Sequence, residues 1–129
     1  MMNAPNADVM LELAGRLAAV TASGDIDAMG ELYEPDAIVW HNFDEGELDL
    51  ERSIGATAWL HRRVSGLQFE DVRLLATNEG FVIRFVMTGG APGGPVRAPS
   101  CQVVTVSERG LIQRIDEYID SAQIAPLYG

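Results

Sequence analysis

Charged, aromatic and aliphatic residues alternate between Leu111 and Asp120. A strand here puts Ile112, Arg114, Asp116, Tyr118 and Asp120 on one face, because successive side chains of a strand point to opposite sides. Leu111, Gln113, Ile115, Glu117 and Ile119 then take the other face. Two carboxylates with a guanidinium between them are suited to acid/base work. The Arg keeps one Asp ionised, and burial raises the pKa of the other. On this pattern Asp116 is the candidate general acid/base, Asp120 the second carboxylate, and Arg114 the group that tunes both. The plainer reading is a solvent face or an interface crossed by salt bridges, with Asp120 acting only as a helix cap.

His41 and Asn42 occupy consecutive positions, so only one of them points straight into a pocket. His41 titrates near neutrality and is a natural proton carrier. Asn42 suits holding a water or polarising a carbonyl, or else closes the strand as a turn residue. Arg84 interrupts the apolar run Phe81 to Met87. A buried Arg needs a partner: a carboxylate such as Asp116 or Glu117, or an anionic group of a substrate. Tyr33, Trp40, Trp59 and Tyr118 read as packing residues, any of which could line a pocket wall, and of the four helical phase puts Trp59 nearest the surface or an interface.

Other chemistry is poorly supported. His61 shares a helix face with Leu50, Ile54 and Val64 and reads as a satisfied core histidine. Cys101 is the chain's one cysteine, which excludes an internal disulfide and a Cys-based zinc site. It reads as a small buried hydrophobe. The acidic run from Asp44 to Asp49 lacks calcium-loop spacing, and there is no His-x-x-x-His. Gly89 to Pro95 is Gly-rich but lacks a following Lys-Ser/Thr, so it is a hairpin loop and not a phosphate cradle. The expectation is no metal and no cofactor.

These residues need elements to hold them. Met10, Leu13, Leu17 and Val20 form the stripe of an amphipathic helix, capped by Asn6 or Asp8 and ended by Ser23-Gly24. Asp25 is a second N-cap, and Ile26, Met29, Leu32 and Tyr33 make a shorter stripe that Pro35 stops. Ala37 to Asn42 is a short strand, Phe43 to Asp49 a loop, and about Leu50 to Val64 a third helix. Strands follow at Leu67 to Thr77, with a bend between Phe69 and Val72, at Phe81 to Thr88 and at Val96 to Val106. The last strand runs from Leu111 to Asp120. The nearly continuous apolar run from Phe81 to Thr88 implies a central strand buried on both faces. Helices before a run of hairpin-linked strands imply an α+β domain. A curved sheet covered by helices on its concave face leaves a conical, apolar pocket.

The chain has 129 residues, one domain's worth, and 47% are hydrophobic, enough for a core. Nine Lys and Arg against 19 Asp and Glu give a net charge of −10. Such a surface repels phosphate, so neither nucleic acid nor anionic lipid is an expected partner. Met1-Met2-Asn3-Ala4-Pro5 lacks the basic start and apolar stretch of a signal peptide, and no apolar run reaches membrane-spanning length. A cytoplasmic protein is the expectation.

The order of elements resembles the nuclear-transport-factor-2-like superfamily, and within it the SnoaL-like group. Three segments carry the likeness: Gly24-Asp25-Ile26-Asp27 through Leu32-Tyr33-Glu34-Pro35-Asp36-Ala37, Val39-Trp40-His41-Asn42, and Gly110 to Asp120. The resemblance implies a cone-shaped antiparallel or mixed sheet wrapped around N-terminal helices over residues 1–129. It also implies cofactor-free chemistry on a hydrophobic small molecule, as in polyketide cyclases, epoxide hydrolases and ketosteroid isomerases. The epoxide hydrolases hold a water with a Tyr-x-Asn on the first strand. Trp40-His41-Asn42 keeps that Asn and has Trp in place of the Tyr. Their Arg near an Asp on a late strand is similar to Arg114-Ile115-Asp116, and the cyclases' Asp near the end of the last strand matches Asp116 or Asp120. A homodimer through the outer face of the sheet is implied as well. The expected function is an isomerase, cyclase or hydrolase. The alternative is a non-catalytic ligand-binding or dimerisation module of the same fold.

Overall fold

The computed structural model describes residues 6–129, and the Met1 to Pro5 segment lies outside them. Helix α1 spans Ala7–Ser23. Its N-cap is Asn6, whose Oδ1 accepts the Val9 N–H at 2.9 Å. At its other end Gly24 adopts the left-handed conformation, φ 74°, and returns its N–H to the Val20 carbonyl at 3.0 Å. Met10, Leu13, Ala14 and Leu17 form the buried stripe. Asp25 caps α2, Ile26–Gly30, by accepting the Ala28 N–H.

The short helix stops sooner than the apolar stripe suggests. Strand β1 already begins at Tyr33 and runs to His41, so Pro35 lies inside a strand and does not end a helix. It is tolerated because β1 slips register against its neighbour between Tyr33 and Ile38, so no ladder hydrogen bond is lost at a residue without an N–H. Strand β2, Glu47–Asp49, pairs back on β1 within a stretch read from sequence as loop. Asp49 then caps α3, Leu50–Arg63.

Four longer strands follow: β3, Ser65–Ala76; β4, Gly80–Ala91; β5, Gly94–Val106; and β6, Ile112–Ile119. The expected bend in β3 is a break in register between Glu70 and Arg73, where Asp71 has φ 52°. The Gly-rich stretch is mostly strand, because Ala91 pairs with Gly94 across a tight turn at Pro92 and Gly93. Beyond β6, α4, Ser121–Ile124, leads into a 3-10 turn, Ala125–Tyr128.

The six strands form one sheet in the order β2-β1-β6-β5-β4-β3. Pairing is antiparallel except between β1 and β6, which run parallel. The sheet is mixed, curved and unclosed, and the α+β cone expected from sequence is the observed fold. Its concave face carries the core. Val39, Ile115, Val104 and Phe81 sit in one cross-strand row on β1, β6, β5 and β4, and all are buried. Helix α1 packs over the β3–β4 end and α3 over the β1–β2 end.

Strand β4 is not buried on both faces. Phe81, Ile83, Phe85 and Met87 point into the core, while Arg84 is exposed on the convex side. Its near-continuous apolar run hides an ordinary alternation, because Val82 and Val86, half-buried, alternate with the buried Phe81, Ile83, Phe85 and Met87 and point to the convex face. No helix among the described residues is long and apolar enough to cross a membrane.

Candidate functional site

Between the concave face, α3 and the 3-10 turn lies a cavity of about 320 Å³. Its deep walls are aliphatic and aromatic, from Val39, Phe85, Met87, Ile115 and Ile119. The exposed residues Phe43, Asp44, Ala56 and Tyr128 mark its mouth.

One polar row crosses this apolar surface. The register places His41 of β1 beside Glu117 of β6, and Glu117 beside Gln102 of β5. Neighbouring side chains on one face of a sheet stand about 5 Å apart, within reach of a side-chain hydrogen bond. His41 Nε2 lies 3.1 Å from Glu117 Oε1, and Gln102 Nε2 donates to Glu117 Oε2 at 2.7 Å. Both carboxylate oxygens are therefore engaged, and the His41 and Glu117 side chains are only 17% and 18% exposed. The His41 ring also packs against Phe43 at 5.2 Å between centroids.

The pair shapes the protonation of its surroundings. Hydrogen bonding to Glu117 raises the His41 pKa above 6.5 against the opposing effect of burial, and the charges of Glu117 and Asp44 add to the rise. With its Nε2 hydrogen directed at a carboxylate, neutral His41 keeps the Nδ1 lone pair free of that contact. Tyr33 also lines the cavity. Burial, and then the Glu117 charge, push its pKa upward, so it remains a neutral phenol. Ser53 and Ser100 are the buried hydroxyls of the lining, and Ser100 Oγ donates to the Ala98 carbonyl at 3.1 Å.

The alternation read from residues 111–120 is correct, but the cavity takes the opposite set. Ile115, Glu117 and Ile119 face inward. Asp116 and Arg114 lie on the convex face, where Arg114 Nε donates to Asp116 Oδ1 at 2.9 Å and Nη1 to Glu47 Oε2 at 3.0 Å. These hydrogen bonds, that to Asp116 first, raise the Arg114 pKa. Tyr118 is also on this face, 46% exposed, with its ring edge-on to Trp40 at 5.5 Å. Asp120 caps α4 through the Ala122 N–H at 2.8 Å, the plainer of its two readings. Asn42 Oδ1 accepts the Ile119 N–H at 2.9 Å and ties the end of β1 to β6, so it is a strand-closing residue and does not line the cavity. Arg84 is exposed on the convex side and faces Arg73 and Cys101 across the ladders. It therefore needs no buried carboxylate, and Glu117 is on the other side of the sheet.

Of the residues singled out from sequence, Tyr33, His41 and Trp59 line the cavity. His61 does not. Its Nε2 lies 2.8 Å from the Thr21 carbonyl and joins α3 to the end of α1. Cys101 is only half-buried, on the convex side. Trp59 is half-buried: it takes its place in the pocket wall and stacks on Tyr128. Glu117 and Gln102 were missed. The available signal was Glu117 flanked at two-residue steps by Ile115 and Ile119, a carboxylate set in an aliphatic face.

Comparison with known proteins agrees with this architecture. Residues 14–115 match the sequence profile of the SnoaL-like domain. PrhC from Penicillium brasilianum NBRC 6234 superposes with a TM-score of 0.81 at 14% identity, covering 93% of this chain and 85% of PrhC. A protein assigned as a SnoaL-like polyketide cyclase from Shewanella denitrificans OS-217 gives 0.78 at 11% identity, over 93% of this chain and 96% of that one. The BvnE pinacolase from Penicillium brevicompactum gives 0.76 at 14% identity, over 90% and 89%. At these identities the likeness is one of fold. No curated protein matches the chain at a significant level. With most of its length inside the profile, the chain belongs to the SnoaL-like domain family.

Proposed function

We propose that this protein is a cofactor-independent acid–base enzyme of isomerase or cyclase type, acting on a neutral, largely apolar small molecule held in the cavity. The observation that carries the reading is the His41–Glu117–Gln102 row in an otherwise apolar chamber. His41 is the proton carrier. Glu117 holds one tautomer of its ring and stabilises the imidazolium, and Gln102 is a positioning residue that fixes the carboxylate. Tyr33 is a neutral hydrogen-bond donor for an oxygen that gains negative charge. In the enolising step, His41 takes a proton from a carbon next to a carbonyl, and the carbonyl oxygen gains the charge. Return of the proton at another carbon completes an isomerisation, and attack of the enolate carbon on a second carbonyl, whose oxygen then takes the proton back from His41, completes a cyclisation. Fold neighbours include a pinacolase and an assigned polyketide cyclase, which is in keeping with this class.

The substrate class follows from charge. Both Glu117 oxygens are already engaged by His41 and Gln102, so a charged ligand would lose its hydration without gaining a free counter-ion. We also infer a homodimer through the convex face, where Val103 and Tyr118 are 39% and 46% exposed.

The test is incubation with a panel of enones, epoxides and polyketide-like compounds, read by mass spectrometry. Conversion by the wild type that falls by about 100-fold or more in His41→Gln supports the reading. Tight binding of panel members with no conversion favours the non-catalytic binding module instead.

A further inference from the structure

The cavity mouth is bounded on one side by the segment that follows β6. Ile124, Leu127 and Tyr128 all contribute to the lining. Ile124 and Leu127 are buried, whereas Tyr128 is 64% exposed. The Tyr128 ring stacks on Trp59 of α3, with centroids 5.7 Å apart and planes 25° apart. The stack spans the gap between α3 and the 3-10 turn.

Few groups hold this segment down. Arg63 Nε donates to the Leu127 carbonyl at 2.7 Å, with the guanidinium 5.7 Å from the Trp59 ring centroid. From the opposite side, the Gly93 N–H donates to the Pro126 carbonyl at 2.9 Å. A Cβ at Gly93 would stand 2.8 Å from the Pro126 oxygen and 2.9 Å from its Cα, so only glycine lets the β4–β5 turn support the segment this closely. The walls behind it belong to a hydrogen-bonded sheet, while the segment itself rests on two buried side chains, Ile124 and Leu127, and on the hydrogen bonds from Arg63 and Gly93 to its carbonyls. Its opening would break no ladder hydrogen bond of the sheet.

We propose that Ser121–Gly129 is the gate of the cavity, and that Trp59 and Tyr128 are its specificity-determining pair, selecting flat ring ligands that can slide between or beneath two stacked rings. The proposal rests on the reading of the cavity as a small-molecule site. Arg63 and Gly93 are positioning residues: each fixes the gate from outside the cavity.

The test uses N-phenyl-1-naphthylamine, a neutral aromatic probe whose fluorescence rises in apolar surroundings, in stopped-flow mixing. Gly93→Ala is expected to speed both association and dissociation by about 10-fold, with affinity changed by less than about threefold, because a gate alters access more than the bound state, whereas Tyr128→Ala, which also removes a ring that meets the ligand, should speed dissociation more than association. Amide hydrogen exchange gives a second readout without ligand. Gly93→Ala should raise exchange in residues 123–129 and leave β6 unchanged. If the probe binds and the variant rates equal the wild-type rates, or if exchange in β6 rises equally, the segment is a fixed wall and the proposal fails. If the wild type takes up no probe, the small-molecule reading of the cavity fails, and the exchange pattern still decides whether the segment opens by itself.

Discussion

His41 Nε2 lies 3.1 Å from Glu117 Oε1 because the two residues occupy paired positions on β1 and β6, the one parallel pair in the sheet. They are 76 positions apart in a chain of 129 residues, and only the return of β6 alongside β1 brings them together. Gln102, one strand further on, closes the row.

Conversion should depend on that row in a graded way. His41→Gln removes the proton carrier and should lower kcat by about 100-fold to 10,000-fold. Gln102→Leu leaves the carrier in place but frees one Glu117 oxygen. It should lower kcat less and shift the pH profile, which a purely structural role would not do. Steady-state kinetics on any converted panel member decides between them.

Asp116→Asn should leave conversion intact. Asp116 is on the convex face, paired with Arg114 at 2.9 Å, and partly exposed ion pairs contribute at most about 1 kcal/mol. Kinetics and thermal unfolding of the variant check both parts. A loss of turnover without a loss of stability would return Asp116 to the catalytic account.

Stability should depend on pH through His41. Its folded pKa is raised above 6.5, the ordinary value. The stabilising contribution is therefore complete below the unfolded value and is lost as pH rises through the higher folded value. The Tm gap between wild type and His41→Gln should be widest on the acidic side of 6.5 and shrink at alkaline pH. A gap that widens with pH would mean that burial outweighs the Glu117 hydrogen bond.

Phe81 is fully buried at the β4 end of the cross-strand row with Val104 and Ile115. Phe81→Ala should cost about 3–5 kcal/mol of unfolding free energy, measured by chemical denaturation. A cost below about 1 kcal/mol would mean that this row does not carry the core.

Val103→Asp places a charge on the convex face without touching the cavity. Sedimentation should give a dimer for the wild type and a monomer for the variant. A monomeric wild type would remove the inferred interface.

Much of the fold was legible because helix signals are local. The Asn6 and Asp25 caps, the Gly24 stop and the Met10-Leu13-Leu17 stripe each act within a turn or two. Strand content was legible by the same route, but strand facing was not. On residues 111–120 both alternating sets mix polar and apolar side chains, so periodicity alone cannot say which one turns inward. The answer depends on register with β1 and β5, a property of distant partners. Pro35 misled for a similar reason: the bulge that accommodates it exists only once β6 is alongside. His41, which does line the cavity, stood out in the sequence because its chemistry is rare in this chain. Glu117 was missed because Asp116, with Arg114 two residues before it, made the more familiar pattern.

The most direct test of the central claim is deuterium exchange catalysed in D2O. The protein is incubated with a neutral, enolisable bicyclic ketone such as 2-decalone, and deuterium at the carbons next to the carbonyl is followed by mass spectrometry. The account predicts exchange above buffer for the wild type and for Asp116→Asn, and about 100-fold slower exchange for His41→Gln. Exchange by the wild type that is unchanged in His41→Gln, or bound ketone that never exchanges, would contradict it.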